Sequence, residues 1–124
     1  MKYGLSDEHI RMFKRYFDFD ENVIEARLFG SRVDGTYKKH SDIDFAVKLV
    51  NPRYLGRLKE GLLNLPTLYK FDVVNYDYIT SKSFKDEIDQ KSVLFYKRPG
   101  TFKRILMILV DDFKCYLKSL RKIK

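Results

Sequence analysis

The sequence predicts one α/β or α+β domain, in which helices alternate with the strands of a sheet. Three observations support this prediction. The chain has 124 residues, a length that suits a single domain. Hydrophobic residues make up 44% of it, enough to bury a core. Segments with apolar residues at helical spacing alternate with short extended apolar runs, so helices and strands follow one another along the chain.

The first half is predicted to contain a helix and two strands. Ser6 is a candidate N-cap, and the acids after it suit the positive end of a helix dipole. Apolar residues then recur at helical spacing, at Ile10, Phe13 and Phe17. A short extended run at 27–29 ends at Gly30, and the run at 42–49 becomes almost wholly apolar, as expected for a central strand.

The second half is predicted to add two helices and two strands. Pro52 opens a helical stretch with leucines at its apolar positions, and Pro66 ends that stretch. The segment 69–76 is rich in Phe and Val, which favours a strand. Ser83 is predicted to cap a short helix, and 92–96 is predicted to be the last strand.

A separate basic amphipathic helix is predicted for the C-terminal segment, 99–124. Its apolar residues stand 3 or 4 positions apart and so form one stripe, at Phe102, Ile105, Leu109, Phe113, Tyr116 and Leu120. Three interpretations stay open: packing on its own domain, a surface for a partner or for a homodimer, and binding to a membrane surface or a nucleic acid.

The positive charge of the chain is concentrated at this end. Residues 1–96 contain 16 basic and 15 acidic residues, whereas residues 97–124 contain nine basic and two acidic ones. The net charge of +8 is therefore weak support for nucleic-acid binding by the whole domain. One cysteine and two histidines exclude a disulfide framework and the usual zinc sites. No apolar run approaches the roughly 20 residues of a membrane span, and no signal-peptide core is present, so we expect a cytoplasmic protein.

Two aspartates stand two positions apart in an apolar segment. Asp42 and Asp44 alternate with Ile43 and Phe45, and residues i and i+2 of a strand point to the same face. The two carboxylates therefore project together while their apolar neighbours face the core. Like charges so placed raise each other's pKa, and Mg²⁺ or Mn²⁺ would neutralise them. A solvated pair at a sheet edge is the alternative interpretation.

The residues before this pair suggest a phosphate site. Gly30 and Ser31 follow a strand and begin a turn, where backbone N–H groups and a hydroxyl can hold a phosphate. Gly30 and Gly35 match the glycine spacing of a P-loop, but Thr36 and Tyr37 stand where that motif requires Lys and then Ser or Thr. The G-x-G-x-x-G fingerprint of dinucleotide-binding folds does not occur either.

A third carboxylate belongs to the predicted strand at 69–76. Asp72 is an acid among apolar residues there, and it can meet Asp42 and Asp44 if the two strands are neighbours. Three carboxylates are what a two-metal phosphoryl-transfer site needs. Asp77, just after the strand, is a weaker candidate and suits a turn.

Three features of the sequence belong together: the Gly-Ser pair at 30–31, the run Ser-Asp-Ile-Asp at 41–44, and Asp72. In this order they resemble the motif set of the minimal nucleotidyltransferase family, within the DNA polymerase β-like superfamily. The similarity covers residues 7–98. It implies an α/β (α+β) nucleotidyltransferase fold with a mixed β-sheet flanked by helices. A minimal domain would then span 1–98, with the amphipathic helix of 99–124 as an addition.

The same resemblance implies roles for individual residues. The reaction would use ATP and two Mg²⁺ or Mn²⁺ ions. Asp42 and Asp44 would bind both ions, and Asp72 would bind one and help to activate the attacking hydroxyl. Four further residues are expected to bind the nucleotide: Gly30, Ser31, Arg32 and Ser41.

Asp34 departs from the pattern, since many family members carry Arg at this position. An acid near a triphosphate would repel it, so Asp34 must point away or weaken the site. Arg32, Lys38 and Lys39 are either solvated loop cations or a source of compensating positive charge.

The resemblance also implies a biological setting. Small members of this size are similar to antitoxins whose partner is a HEPN-domain toxin, and such antitoxins are thought to transfer AMP to a tyrosine of the toxin. Two alternatives stay open. One is an antitoxin with an idle site that acts by occlusion, and the other is a nucleotidyltransferase acting on RNA or a small molecule. Neither a membrane nor a nucleic-acid partner is expected.

Overall fold

Four strands form one mixed sheet in the computed structural model, which describes residues 1–100. The strands are β1 (Val23–Phe29), β2 (Ile43–Leu49), β3 (Phe71–Asn75) and β4 (Val93–Lys97). Their order across the sheet is β3-β2-β1-β4. Strand β1 runs antiparallel to β2 and β4, whereas β2 and β3 are parallel. The C-terminal stripe predicted from Phe102 onwards lies outside the described residues.

Four helices accompany the sheet: α1 (Asp7–Phe19), α2 (Ser31–Asp34), α3 (Leu55–Leu63) and α4 (Lys82–Lys91). Short 3-10 turns at Pro52–Tyr54 and Tyr76–Tyr78 precede α3 and follow β3. Ser6 caps α1 as predicted, accepting a hydrogen bond from the His9 amide at 3.1 Å. None of the helices in residues 1–100 is long and apolar enough to cross a membrane.

The starts of β1 and α4 differ from the sequence prediction, and the bounds of β2, β3 and β4 differ by one or two residues. Strand β1 begins at Val23 rather than at residue 27, because Val23 already pairs with Leu49 of β2 and Glu25 with Lys48. Helix α4 begins at Lys82, and its cap is Ser81, which accepts from the Phe84 amide at 3.3 Å. The predicted cap, Ser83, lies inside the first turn of the helix.

The hydrophobic core lies between one face of the sheet and helices α1 and α3. Phe13 and Phe17 of α1 make edge-on ring contacts with aromatic residues of the strands, among them Phe45. Leu58 and Leu62 of α3 belong to the same core and are fully buried. This face therefore uses the alternate residues of β2 that begin at Ile43, and the intervening residues point to the other face.

The other face of the sheet carries α4 and the acidic residues. Phe29, at the end of β1, contacts Phe84 of α4 with ring centroids 5.7 Å apart. Phe29 is paired with Asp44 across the sheet, so this contact with α4 lies next to the carboxylate. Further along, the ring of Tyr76 lies between the ammonium groups of Lys48 and Lys85, at 4.9 and 4.8 Å.

A buried arginine closes the carboxyl end of α1. The Arg98 guanidinium donates hydrogen bonds to the carbonyls of Val23, Phe17 and Asp20 at 2.7–2.9 Å. The last carbonyls of a helix lack partners within the helix, and a cation there also suits the helix dipole. Arg98 thus fixes the end of α1 against the start of β1.

Candidate active site

The register of the parallel strands places two carboxylates side by side. Asp44 of β2 is paired with Asp72 of β3, immediately after the pair formed by Ile43 and Phe71. Directly paired residues of adjacent strands project to the same face of a sheet. The two strands are therefore neighbours, as the convergence of the three acids requires.

Asp42 completes the acidic cluster from the residue before β2. It is exposed, as is Asp72, whereas Asp44 is half-buried. Burial, followed by the charges of Asp72 and Asp42, raises the pKa of the Asp44 carboxyl to about 6, and the positive charge of Arg32 opposes this effect. The three acids thus interact electrostatically in a place where a cation would be favoured.

Gly30 lies directly against Asp44. Its φ of 78° lies in the region that only glycine adopts readily. A Cβ at this position would overlap with Oδ2 of Asp44 and lie 3.2 Å from its Cγ. The turn that the sequence suggested for phosphate binding is therefore in contact with the acidic cluster, and glycine is required there for both conformation and space.

The loop between α2 and β2 is closed by a side-chain hydrogen bond. Ser41 Oγ accepts from the Lys38 amide at 2.7 Å, and the Ser41 amide donates to the Lys38 carbonyl at 3.1 Å. Ser31 is half-buried at the start of α2, where the first N–H groups of a helix have no acceptor within the helix. Ser31 thus follows the Gly30 turn, and Ser41 directly precedes Asp42 of the acidic cluster.

Arg32 is not the solvated loop cation that the sequence allowed as one interpretation. The side chain is only 2% exposed. Its Nη1 donates to the Tyr3 carbonyl at 2.9 Å and its Nη2 to the Ser41 carbonyl at 2.8 Å. No local pattern distinguishes such a residue from a loop cation, because its partners come from distant parts of the chain.

Asp34 is turned towards its own loop. Its Oδ1 accepts hydrogen bonds from the amide and the hydroxyl of Thr36, at 2.9 and 2.6 Å. These bonds stabilise the charged form and lower the pKa of Asp34. The carboxylate is thus engaged within the turn, although Asp34 also lines a cavity of about 270 Å³ beside Gly30.

A larger cavity of about 670 Å³ opens beside Asp42, between the loop that ends at this residue and the segment that leads into β3. Its charged lining includes Lys39 and Lys70. A substrate group could therefore approach the acidic cluster from two sides, past Gly30 and past Asp42. Asp77, the weaker candidate, lies in the 3-10 turn after β3.

The three carboxylates of the acidic cluster suit a divalent cation in their chemistry but are not arranged around one point. In residues 1–100, no group of three or more Asp, Glu, His or Cys side chains is arranged so that it could hold a metal ion. The donor chemistry nevertheless fits, because Asp42, Asp44 and Asp72 offer only carboxylate oxygens, which Mg²⁺ prefers. Asp42 and Asp72 are exposed, so rotation of their side chains can bring these oxygens together.

The chain is similar to a known sequence family over most of its length. The family model described as Polymerase beta, Nucleotidyltransferase matches residues 12–100 of the chain. The matched range contains the Gly30 turn and all three aspartates. No curated protein sequence matches the chain significantly.

Solved structures with the same fold include toxin–antitoxin complexes. One, crystallised with AMP-PNP, is 16% identical to the chain with a TM-score of 0.56, over 95% of this chain and 94% of the other. Two variants of the toxin–antitoxin MntA-HpeT, one with two aspartates changed to glutamate and one with a tyrosine changed to alanine, are 16% and 20% identical. Both have TM-scores of 0.54 over 96% of this chain and 94% of the other. At such identities the likeness supports the fold, which is the predicted α+β nucleotidyltransferase fold.

Proposed function

The chain belongs to the Polymerase beta nucleotidyltransferase family, and on that premise we propose that it transfers AMP from ATP to a hydroxyl acceptor in an Mg²⁺-dependent reaction. The observation that carries the proposal is the pairing of Asp44 with Asp72, in direct contact with the Gly30 turn. A site of this kind brings acidic ligands and a phosphate-binding turn to the same point.

In the proposed reaction, the acceptor oxygen attacks the α-phosphorus of ATP. The bond between that phosphorus and the oxygen bridging to the β-phosphorus breaks, and pyrophosphate leaves. The acceptor hydroxyl gives its proton to the carboxylate of Asp72, which acts as the base. Gly30 and Ser31 hold the triphosphate through backbone N–H groups and a hydroxyl, and Ser41 supports it from the other end of the loop.

Asp42 and Asp44 would hold two divalent cations, and Asp72 would share one of them. When bound, these ions neutralise negative charge on the phosphates and favour the ionised form of the attacking hydroxyl. Mn²⁺ would serve in place of Mg²⁺, since both take oxygen ligands. The exposure of Asp42 and Asp72 supports this assignment, because their carboxylates can reach an incoming ion.

The proposed acceptor is a tyrosine hydroxyl of a partner HEPN-domain toxin, so that the chain acts as an antitoxin. The structural similarity to toxin–antitoxin complexes, one of them crystallised with AMP-PNP, supports this choice. The proposed domain, 1–98, leaves the basic segment 99–124 to contribute to the protein contact.

The test is a transfer assay with α-labelled ATP, Mg²⁺ and the protein encoded by the neighbouring gene. We expect label on a tyrosine of that protein and none with the double variant Asp42→Asn, Asp44→Asn. Asp77→Asn, which changes an exposed aspartate beyond the far end of β3, should transfer at the wild-type rate.

Three other results would each contradict part of the proposal. Label on RNA or on a small molecule instead would replace the acceptor. Inhibition of the toxin by the wild type and the double variant alike, without label, would indicate an antitoxin that acts by occlusion. Full transfer by the double variant would end the two-metal mechanism.

A further inference from the structure

We infer that Arg32 is a positioning residue, which fixes the loop that carries Asp42 relative to the Gly30 turn. The inference rests on the proposed function, because it concerns how that site is held in shape. Arg32 follows Ser31 in α2, yet its guanidinium is buried and bound to the carbonyl immediately before Asp42. One side chain thus joins the two ends of the loop between α2 and β2.

The second branch of the guanidinium holds the N-terminal turn. Lys2 and Leu5 pair through their backbones at 3.2 and 2.8 Å, and Tyr3 between them has a φ of 59°, which is uncommon for a residue other than glycine. The Tyr3 carbonyl accepts the hydrogen bond from Arg32 Nη1. A Cβ on the adjacent Gly4 would lie 2.9 Å from the same nitrogen. The turn is therefore packed directly on Arg32.

Two aromatic rings make cation–π contacts with the Arg32 guanidinium. Its central carbon lies 5.5 Å from the ring centroid of Tyr37 and 5.1 Å from that of Tyr69. Tyr37 belongs to the same loop as Ser41, and Tyr69 lies just before β3, which carries Asp72. Arg32 thus contacts the segments that lead into both acidic strands, and cation–π contacts add to the hydrogen bonds.

Arg32 could in principle act through its charge alone, and the two roles predict opposite effects on metal binding. A buried positive charge repels a nearby cation, so its removal would strengthen metal binding. Loss of the two hydrogen bonds would release the Asp42 loop and weaken metal binding. A lysine keeps the charge but cannot reproduce the planar two-branched donor, so Arg32→Lys separates the two roles.

The experiment measures Mn²⁺ affinity of the full-length chain by electron paramagnetic resonance, without nucleotide. We expect both Arg32→Met and Arg32→Lys to bind Mn²⁺ about 10- to 100-fold more weakly than the wild type, the usual effect of losing a residue that orients metal ligands. The matched control is Arg98→Met. Arg98 is the other buried arginine of residues 1–100, it also donates to carbonyls, and its replacement should leave Mn²⁺ affinity unchanged.

Hydrogen exchange gives a second readout that does not depend on metal. The amides of Lys38 and Ser41 should exchange faster in Arg32→Met than in Arg98→Met. Should Arg32→Met fail to fold, Gly4→Ala disturbs the packing around the guanidinium instead, because its Cβ would overlap with the Tyr37 ring and lie 2.9 Å from Arg32 Nη1, and it should have the same two effects.

The inference would be overturned by tighter Mn²⁺ binding in Arg32→Met, by wild-type affinity in Arg32→Lys, or by equal effects of Arg32→Met and Arg98→Met. A wild type that binds Mn²⁺ but transfers no nucleotide would refute only the proposed function. If the wild type does not bind Mn²⁺, the proposed function is refuted as well. In that case hydrogen exchange decides the role of Arg32, and unchanged exchange rates of the loop amides in Arg32→Met would refute it.

Discussion

At the scale of single residues, Asp44 carries the largest electrostatic cost described in the site. It is half-buried beside two other carboxylates, and its pKa is raised to about 6. In the unfolded chain the same group titrates near its ordinary pKa of about 3.9. The folded protein therefore binds this proton more tightly than the unfolded chain does. Its free energy of unfolding falls as the pH rises from about 4 to about 6, and this contribution is constant above that.

Asp44→Asn should consequently stabilise the metal-free protein at neutral pH. We expect a gain of about 1 kcal/mol, less than the full pKa shift implies, because solvent screens a partly exposed carboxylate. The gain should disappear below about pH 4, where Asp44 is protonated in both states. Urea unfolding at several pH values measures it, with Asp77→Asn as the control. A variant with wild-type stability at every pH would contradict the prediction.

Gly30→Ala should damage the site more than an alanine elsewhere in the same loop. A residue with a side chain in this backbone conformation costs about 1–3 kcal/mol, and here the new Cβ would also displace the Asp44 carboxylate. Gly35, with a φ of 88°, has open space where a Cβ would lie, with no neighbouring atom within 4 Å. Gly35→Ala therefore introduces backbone strain alone.

Calorimetry with ATP and with Mn²⁺ measures the difference between the two glycine variants. Gly30→Ala should lose affinity for both ligands, whereas Gly35→Ala should keep both. Ser31→Ala removes only a hydroxyl donor and should weaken ATP binding more than Mn²⁺ binding. Equal ATP affinity in Gly30→Ala and the wild type would place the phosphate cradle elsewhere.

At the scale of elements, α1 and α3 are in close contact at Gly61 of α3, which has no side chain. A Cβ at Gly61 of α3 would overlap with the hydroxyl of Tyr16 and lie 2.9 Å from its ring carbon Cε2. Burial raises the pKa of this tyrosine, and the neighbouring charge of Asp20 adds to the effect. The Gly61 position therefore sets how closely the two helices can pack on the sheet.

Gly61→Ala should be less stable than Gly56→Ala by about 1–3 kcal/mol, the usual cost of overpacking. Gly56 lies in the same helix with no neighbour within 4 Å, so its alanine gains helix propensity without a clash. Thermal unfolding of both variants measures the difference. Adding Tyr16→Phe to Gly61→Ala should recover part of the loss, and no recovery would show that the hydroxyl contact is not the cause.

At the scale of the whole molecule, the core is already formed by elements that end at Lys97. The family match likewise extends to residue 100. The remaining sequence carries the predicted apolar stripe and most of the net positive charge. A stripe of that length is more apolar surface than soluble monomers usually expose, so we expect it to be covered by the domain, by a second copy or by the proposed partner protein.

Deleting residues 101–124 should leave Mn²⁺ and ATP binding largely intact and abolish association or solubility. The positive charge around the stripe would also favour an acidic partner surface. Sedimentation and co-purification with the protein encoded by the neighbouring gene measure these properties. A truncated chain that stays soluble, keeps its oligomeric state and still binds that protein would show that the segment has another role.

The sequence by itself determined the type and order of α1, α3, α4 and the four strands, and it singled out the three aspartates as candidates. Spacing, caps and prolines are local signals, which is why α1 and β2 were predicted almost to their ends. An acid in an apolar strand is also a local signal, so Asp44 and Asp72 stood out as candidates without any knowledge of the fold.

Only the tertiary structure decided how these residues meet. Three features of the site join positions that are far apart in the chain. They are the register that pairs Asp44 with Asp72, the contact of Gly30 with Asp44, and the hydrogen bond of the buried Arg32 to Tyr3. Such contacts depend on strand pairing and on packing against distant segments. Neither produces a periodic pattern in the sequence, so neither can be predicted from it. For that reason Arg32 resembled a loop cation in the sequence, although in the fold its guanidinium is buried and donates hydrogen bonds to the carbonyls of Tyr3 and Ser41.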